Sequence, residues 1–375
     1  MNTKHPLLAG ILLLASINLT RADVVTDWNE RLERANKTAA VSAALQARLC
    51  ATVSAAVYDA VNGVALQYQP YFVHERGPLS ATPEAAVAQA AYTALVGLFP
   101  TQAVVFDAAL AMSLIQITNS GASSDAIAQG RAWGQSVAQR VLAWRAQDGL
   151  TNPAPNYFGG TNVGQWRSIA TPTAPDGTLP AIVPQMPTLV PFAMTSPLQF
   201  RPGAPYGLPL AQALASPQYA ADLNEVKTIG RIDSVTRTVE QTSLARLWQA
   251  SSTAELNNCL RQVVPSTNSL VDNARLFALA NIVAADGLIA GFDSKYTYNF
   301  WRPHHAIRFA DLDGNSATEA DPEWNALFIA PRHQEYISNH AVHSGGFVYA
   351  LARLLGDTHL HAQFSGFSKL QLDVP

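Results

Sequence analysis

The chain has 375 residues, 24 Lys+Arg against 27 Asp+Glu for a formal net charge of −3, and 48% hydrophobic residues. That length and apolar content suffice for a large core or for two closely packed subdomains. The mildly acidic balance excludes a basic nucleic-acid surface, and no clustered charge run suggests a membrane surface.

At the N-terminus, Lys4 and His5 precede an apolar run from Leu7 to Leu19 that closes on Thr20-Arg21-Ala22. The run is shorter than the roughly 20 apolar residues of a spanning helix. Residues 1–22 are therefore predicted to be a secretory signal peptide cleaved after Ala22, which makes the product secreted or periplasmic with no stable membrane span. Its removal takes away Lys4 and Arg21 and leaves 22 basic against 27 acidic residues, net −5. Cys50 and Cys259 are the only cysteines. An exported chain could pair them, but both lie in helix-like segments far apart in sequence, and two separate buried thiols are the simpler reading.

Helix dominates the remainder of the chain. Residues 48–65 are alanine-rich, with Val53, Val57, Val61 and Val64 spaced to make one face. Tyr58, Asp59 and Asn62 on successive turns are expected to form a buried hydrogen-bonded set. The pattern repeats over 84–99 and 102–118, and again over 124–147 behind a Gly-Ala-Ser-Ser start suited to capping. Residues 152–209 differ, with proline or glycine every few positions, as in a long connection that is functional or wraps the surface. Ser216-Pro217 opens another helix that Gly230 closes. Further helices are predicted over 235–250 and 270–292. The expected organisation is all-α: an N-terminal helical half over 23–151, the Pro/Gly-rich connection over 152–209, and a C-terminal helical half over 210–375 that carries the site.

Candidate chemistry concentrates late in the chain, where seven of the nine histidines come after Pro303. Lys295 and Arg302 are seven apart, two helical turns, and on a continuing helix would project from nearly one face. Pro303 disfavours helical geometry at Arg302 and places it at a helix end. Tyr296, Tyr298, Phe300 and Trp301 between them are expected to form a low-dielectric wall. An arginine fork and a lysine point charge together suit an oxyanion. Ser338 adds a hydroxyl, the backbone around Asn339 adds N–H donors, and His340 can move a proton near neutral pH. His343 stands one helical turn from His340 and could make a metal pair with it, but no third ligand sits at a recognisable spacing. Asp311-Leu-Asp313-Gly-Asn315 starts like a calcium loop, but its glycine comes at the wrong position and Pro322 stands where the closing glutamate belongs, so it reads as a polar turn.

Lys-x6-Arg-Pro with Ser338-Asn339-His340 downstream resembles the signature of the vanadium-dependent haloperoxidase and phosphatidic acid phosphatase type 2 superfamily, K-x6-R-P then P-S-G-H then S-R-x5-H-x3-D. Val25-Thr-Asp-Trp-Asn, Tyr58-Asp59 with Asn62, Phe200-Arg-Pro-Gly, Asp222-Leu-Asn-Glu-Val-Lys, Asn273-Ala-Arg-Leu-Phe and Phe300-Trp-Arg-Pro are similar to the bacterial haloperoxidase-like branch. The resemblance implies a helical bundle with an anion at one end. Lys295 and Arg302 would bind equatorial oxygens of vanadate or phosphate, Ser338 and Asn339 would add hydrogen bonds, and His340 would be the catalytic acid–base. The implied cofactor is vanadate for a haloperoxidase, with peroxide and halide as substrates, and none for a phosphatase acting on a phosphate ester. Ile337 and Asn339 replace the family's proline and glycine. No S-R-x5-H-x3-D comes after His340, so the second arginine and the histidine that ligates vanadium are not found, and the site is expected to be C-terminally incomplete with turnover weakened or lost. Three readings stay open: vanadium-dependent haloperoxidase-like enzyme, acid phosphatase-like phosphomonoesterase, and non-catalytic oxyanion-binding relic, with a homo-oligomer allowed by each.

Overall fold

The computed structural model describes residues 23–373 apart from 172–173, 250–251, 266, 357–358 and 363–369. The expected signal peptide, 1–22, lies outside the described residues. The N-terminal helices are α1 (Val24–Thr38), α2 (Ala43–Ala65), α3 (Pro83–Leu98), α4 (Ala103–Asn119) and α5 (Ser124–Arg145). After the connection come α6 (Leu210–Leu214), α7 (Pro217–Ile229), α8 (Val239–Gln249), α9 (Ser252–Val263), α10 (Leu270–Tyr298), α11 (Pro303–Arg308) and α12 (Asn339–Leu355). The fold is all-α in its core. A short antiparallel pair, β1 (His359–Ala362) with β2 (Leu370–Asp373), supplies the only strands among the described residues.

Local sequence explains most boundaries. Asp23 and Thr26 start α1 with a reciprocal capping box, each side chain accepting the other's backbone N–H. Thr82, Ser123 and Ser216 cap α3, α5 and α7 through their hydroxyls. Ser269 and Asp272 form a second capping box at the start of α10. That helix runs six residues past its predicted end at 292, to Tyr298, because no breaker intervenes before Asn299.

α10 is the axis of the molecule. It packs against α2 on one side and α12 on another, and α3 and α5 extend the same core outward from α2. Its most apolar stretch is long and hydrophobic enough to cross a membrane, as is the stretch Pro100–Asn119, but α10 is 83% buried inside the protein over that stretch, as a central core helix must be. Cys50 and Cys259 are both free and buried, as two separate thiols.

Buried carboxylates tie the connections to this core. Asp59 on α2 accepts the backbone N–H groups of Tyr71, Phe72 and Val73, while Tyr58 donates to Gln69 O and Asn62 pairs with Tyr68. The expected polar set is therefore present, and it pins the loop after α2. Asp286 on α10 repeats the device, accepting from Phe192, Ala193 and Met194 of the Pro/Gly-rich connection. Arg201 then makes a bidentate pair with Asp293 at 2.6 and 2.7 Å. Asp313 accepts from Asn315 N and Thr318 Oγ1, which makes its segment the predicted polar turn.

At the end of α5, Asp148 Oδ2 accepts from Arg48 Nε and Arg145 Nη2, each at 2.6 Å, and all three residues are buried. Asp148→Asn leaves two guanidinium groups in the interior without their counter-charge. A loss of about 3–5 kcal/mol of stability is expected, the cost of breaking a buried pair from one side. Thermal or urea unfolding of this variant measures it, and a loss under about 1 kcal/mol would contradict a structural role for the cluster.

Candidate functional site

The site is assembled where α10 ends. Asn299 takes the left-handed conformation (φ 48°, ψ 35°) that asparagine tolerates, and its N–H closes on Lys295 O. The chain then reverses against the connection, with Trp301 N donating to Gly164 O and Trp166 N to Asn299 O. Arg302 is extended and stands immediately before α11, with Pro303 at the first helical position. Lys295 and Arg302 therefore do not share a helix face, contrary to the expectation from their spacing. They meet because the backbone turns between them.

The segment before α12 is brought alongside by the Glu335 N–H, which donates to Phe300 O at 3.0 Å. Ser338 caps α12, its Oγ accepting from Ala341 N, which leaves its own proton free to donate. Glycines set how closely α12 approaches. A Cβ on Gly287 would stand 3.2 Å from Val342, one on Gly346 would stand 3.1 Å from Val283, and one on Gly291 would stand 2.9 Å from Asn339 Oδ1. The absence of side chains at these places lets α12 pack closely along the second half of α10. Gly346 thus packs on α10 at Val283, whereas Gly345 faces open space.

All five residues picked from the sequence, Lys295, Arg302, Ser338, Asn339 and His340, line one cavity of about 570 Å³ together with His333 and Glu335. Its apolar wall is formed by Trp248, Leu288, Phe328, Ile329 and Pro331. The aromatic residues between Lys295 and Arg302 do not form that wall. Phe300 and Trp301 are buried in a separate cluster with Tyr219 and Trp324, and Tyr296 and Tyr298 donate to Ile182 O and Pro202 O. The period of a helix could not reveal this, because the chain leaves the helix at Asn299.

Lys295 is 1% exposed, and its Nζ donates to Gln334 O at 2.7 Å and Glu335 O at 2.8 Å. Burial first, and the Arg302 charge second, lower its pKa from the usual lysine range to about 7. Arg302 donates through Nε to His333 O at 2.8 Å, through Nη1 to Glu335 Oε2 at 2.7 Å, and through Nη2 toward His333 Nδ1 at 2.7 Å. Burial, with the two cations beside it, holds the buried His333 well below the ordinary histidine range, and its Nδ1 also lies 3.0 Å from Gln334 O. The same causes lower His340, which keeps a backbone hydrogen bond to Trp248 and meets that indole edge to face at 5.6 Å. His343 is buried with its ring nitrogens 3.3 Å from Ser252 Oγ and 3.1 Å from Thr253 Oγ1. It is a satisfied core histidine, and the alternative pairing with His340 as metal ligands finds no support. His359 stands on β1.

The donor set fits the oxygens of a tetrahedral anion. Lysine retains its third N–H, each terminal nitrogen of Arg302 retains one, and Ser338 and the first turn of α12 add donors that the helix dipole favours. Among the described residues, the imidazoles lining the cavity are His333, engaged by Arg302, and His340. Another cavity of about 600 Å³ is rimmed by Asp23, Asp27, Glu30 and Glu84 against the single cation Arg261, a charge balance that repels oxyanions. Glu335 and His333 were not singled out by the sequence. The signal that could have found them is their position in the same short segment as Ser338 and His340.

Comparison with known proteins agrees with this layout. Residues 275–374 match the family model for the VCPO second helical-bundle domain. No curated protein matches the chain. Among solved structures, the first bacterial vanadium-dependent iodoperoxidase is similar with a TM-score of 0.74 at 19% identity, covering 94% of this chain and 86% of that one. The apo-type bacterial vanadium-dependent chloroperoxidase gives 0.64 at 14% identity, covering 89% and 85%, and the holo-type gives 0.61 at 16%, covering 96% and 85%. The superfamily resemblance read from the motifs is thus borne out, by the family model over the C-terminal bundle and by the solved structures for the fold.

Two measurements probe the electrostatics. Sulfate, which keeps its charge across neutral pH, is expected to bind more weakly as pH rises from 6 to 8, because Lys295 loses its proton near pH 7. Isothermal titration on Lys295→Met should lose that pH dependence, and its retention would assign the effect elsewhere. Glu335→Gln removes a carboxylate that competes for Arg302, and sulfate affinity should rise about tenfold, or about 1.4 kcal/mol. An unchanged affinity would show that Glu335 swings aside without cost.

Proposed function

We propose that this chain, which has the fold of the bacterial vanadium haloperoxidases and a segment matching the VCPO second helical-bundle domain, binds vanadate in the cavity at the end of α10 and oxidises halide with peroxide there. The observation that carries the reading is the convergence of Lys295, Arg302, Ser338, the Asn339 backbone and His340 on one cavity from three separate stretches of chain. Lys295 and Arg302 would hold oxygens of the anion, and Ser338 with the first N–H groups of α12 would add hydrogen bonds to it. Vanadate held there would supply the Lewis acidity that activates peroxide toward halide. His340 moves the proton, its orientation fixed by the backbone hydrogen bond to Trp248. Its lowered pKa keeps it neutral at pH 7, ready to accept a proton before returning one. Trp248, Leu288 and Phe328 give one side of the cavity an apolar lining, which strengthens charge–dipole contacts along it. The apolar run at 1–22 leads us to place this chemistry outside the cytoplasm.

Purified protein supplied with vanadate, peroxide and iodide or bromide is expected to halogenate a phenol dye only slowly, because no S-R-x5-H-x3-D follows His340 to supply the vanadium-ligating histidine that the resemblance implies. His340→Ala should lower the rate about 100-fold or more, the usual contribution of an acid–base residue, while vanadate binding measured by equilibrium dialysis persists. Vanadate binding without halogenation would reduce the reading to a non-catalytic oxyanion binder. Hydrolysis of a chromogenic phosphate ester, inhibited by vanadate, would move it to a phosphomonoesterase.

A further inference from the structure

One group of side chains outside the oxyanion cavity has no part in that chemistry. His304 and His305 open α11 directly after Arg302-Pro303, are 9% and 0% exposed, and stand edge to face with ring centroids 5.1 Å apart. Asp176 reaches them from the Pro/Gly-rich connection, its Oδ2 lying 3.0 Å from His305 Nε2. One ligand atom from each of the three residues lies within 4.8 Å of the other two. His305 Nδ1 is buried without a hydrogen-bond partner. The nitrogen turned to Asp176 is Nε2, so two buried imidazoles and one carboxylate bring nitrogen and oxygen ligands together at one point.

We propose that Asp176, His304 and His305 bind a single divalent transition-metal ion of the zinc class, which fastens the connection to the segment that carries Arg302. Two imidazoles and a carboxylate are a nitrogen-rich set that suits Zn²⁺ and its neighbours and does not suit Mg²⁺ or Ca²⁺, which take oxygen ligands. An ion held about 2.0–2.2 Å from each ligand needs those atoms within about 4 Å of one another. Asp176, whose side chain is 40% exposed, holds its other oxygen against the Ala170 N–H of its own turn, and binding an ion would draw the three ligand atoms together by up to about an ångström. The surroundings bring no surplus of negative charge. His305 stacks on Phe309, and the Arg167 guanidinium lies 5.2 Å from the centroid of that same ring. Binding therefore relies on imidazole coordination and not on bulk attraction of a cation.

The place of the ion explains what it would do. The connection already pairs with the segment before Arg302, through Trp301 N to Gly164 O and Trp166 N to Asn299 O. Coordination by Asp176 and the histidines after Arg302 would hold the other flank. The arginine would then be fixed from both sides of the backbone that bears it, with the ion acting as a positioning element outside the cavity.

The inference is tested by metal binding and is independent of whether the protein is a haloperoxidase. Untagged full-length protein, stripped with a chelator, is titrated with Zn²⁺ and separately with Co²⁺, whose visible absorption reports nitrogen ligation. One equivalent is expected to bind, and Asp176→Asn, an exposed change that leaves the core intact by circular dichroism, should weaken it at least tenfold. His304→Ala should do the same, while His340→Ala should bind as the parent does. Equal zinc affinity in the parent and Asp176→Asn would overturn the site. So would loss of binding in His340→Ala, or binding of Mg²⁺ as tight as that of Zn²⁺.

Discussion

The structure depends on two cations held side by side at the end of a core helix. Lys295 is buried and Arg302 lies beside it, so the pair suffers both desolvation and mutual repulsion. The protein meets this demand with neutral oxygens and one carboxylate: the Gln334 and Glu335 carbonyls on Lys295, and the Glu335 side chain with the His333 carbonyl on Arg302. That is enough to keep the site folded and too little to satisfy it. Lys295, poised near pH 7, records the shortfall, and an oxyanion in the cavity would supply the missing charge. In the proposed reading, affinity for an anion would be the relief of repulsion that folding leaves in place.

Such a site needs a rigid frame, since two repelling cations on mobile segments would drift into solvent. α10 supplies the frame by burial on nearly all sides, and the glycines at 287, 291 and 346 bring α12 close enough for its start to face the same cavity. The Pro/Gly-rich connection completes it. Asp286 accepts three of the connection's backbone N–H groups, Asp293 pairs with Arg201, and Tyr298 donates to Pro202 O, all along one flank of the second half of α10. A long segment with little secondary structure of its own is thereby ordered by carboxylates of the helix that bears Lys295, and it contributes Ile182 to the cavity.

Helix positions were legible because period and caps are local. The apolar spacing after Arg48, the Ser216-Pro217 start and the Gly230 end all lie where the sequence put them, while α1 and α9 were passed over although each buries one apolar face, Val25, Trp28 and Leu32 on the first and Leu256, Cys259 and Leu260 on the second. The site residues were legible for another reason, the resemblance of K-x6-R-P and Ser-x-His to a known pattern, which carries three-dimensional information that period does not. Where local reasoning was extended into space it failed. Lys295 and Arg302 looked like neighbours on a helix, and the aromatics between them looked like their wall, but Asn299 turns the chain and sends Phe300 and Trp301 into a different cluster. No spacing rule predicts which way a side chain points after a left-handed residue.

The same limit governs the histidines. His340 and His343, one turn apart, were the pair whose spacing suggested metal, yet Ser252 and Thr253 occupy both nitrogens of His343. His304 and His305, adjacent in sequence and undistinguished by spacing, meet an aspartate 128 residues earlier, Asp176, whose contribution no local pattern could forecast. Adjacent residues on a short helix diverge, so they converge on one ion only if a third group from elsewhere sets the point of convergence. The connection provides that group in the same stretch that borders Arg302, and this links the two readings of the molecule: the belt that looks irregular in sequence is the element that decides where the cationic end of the site is held.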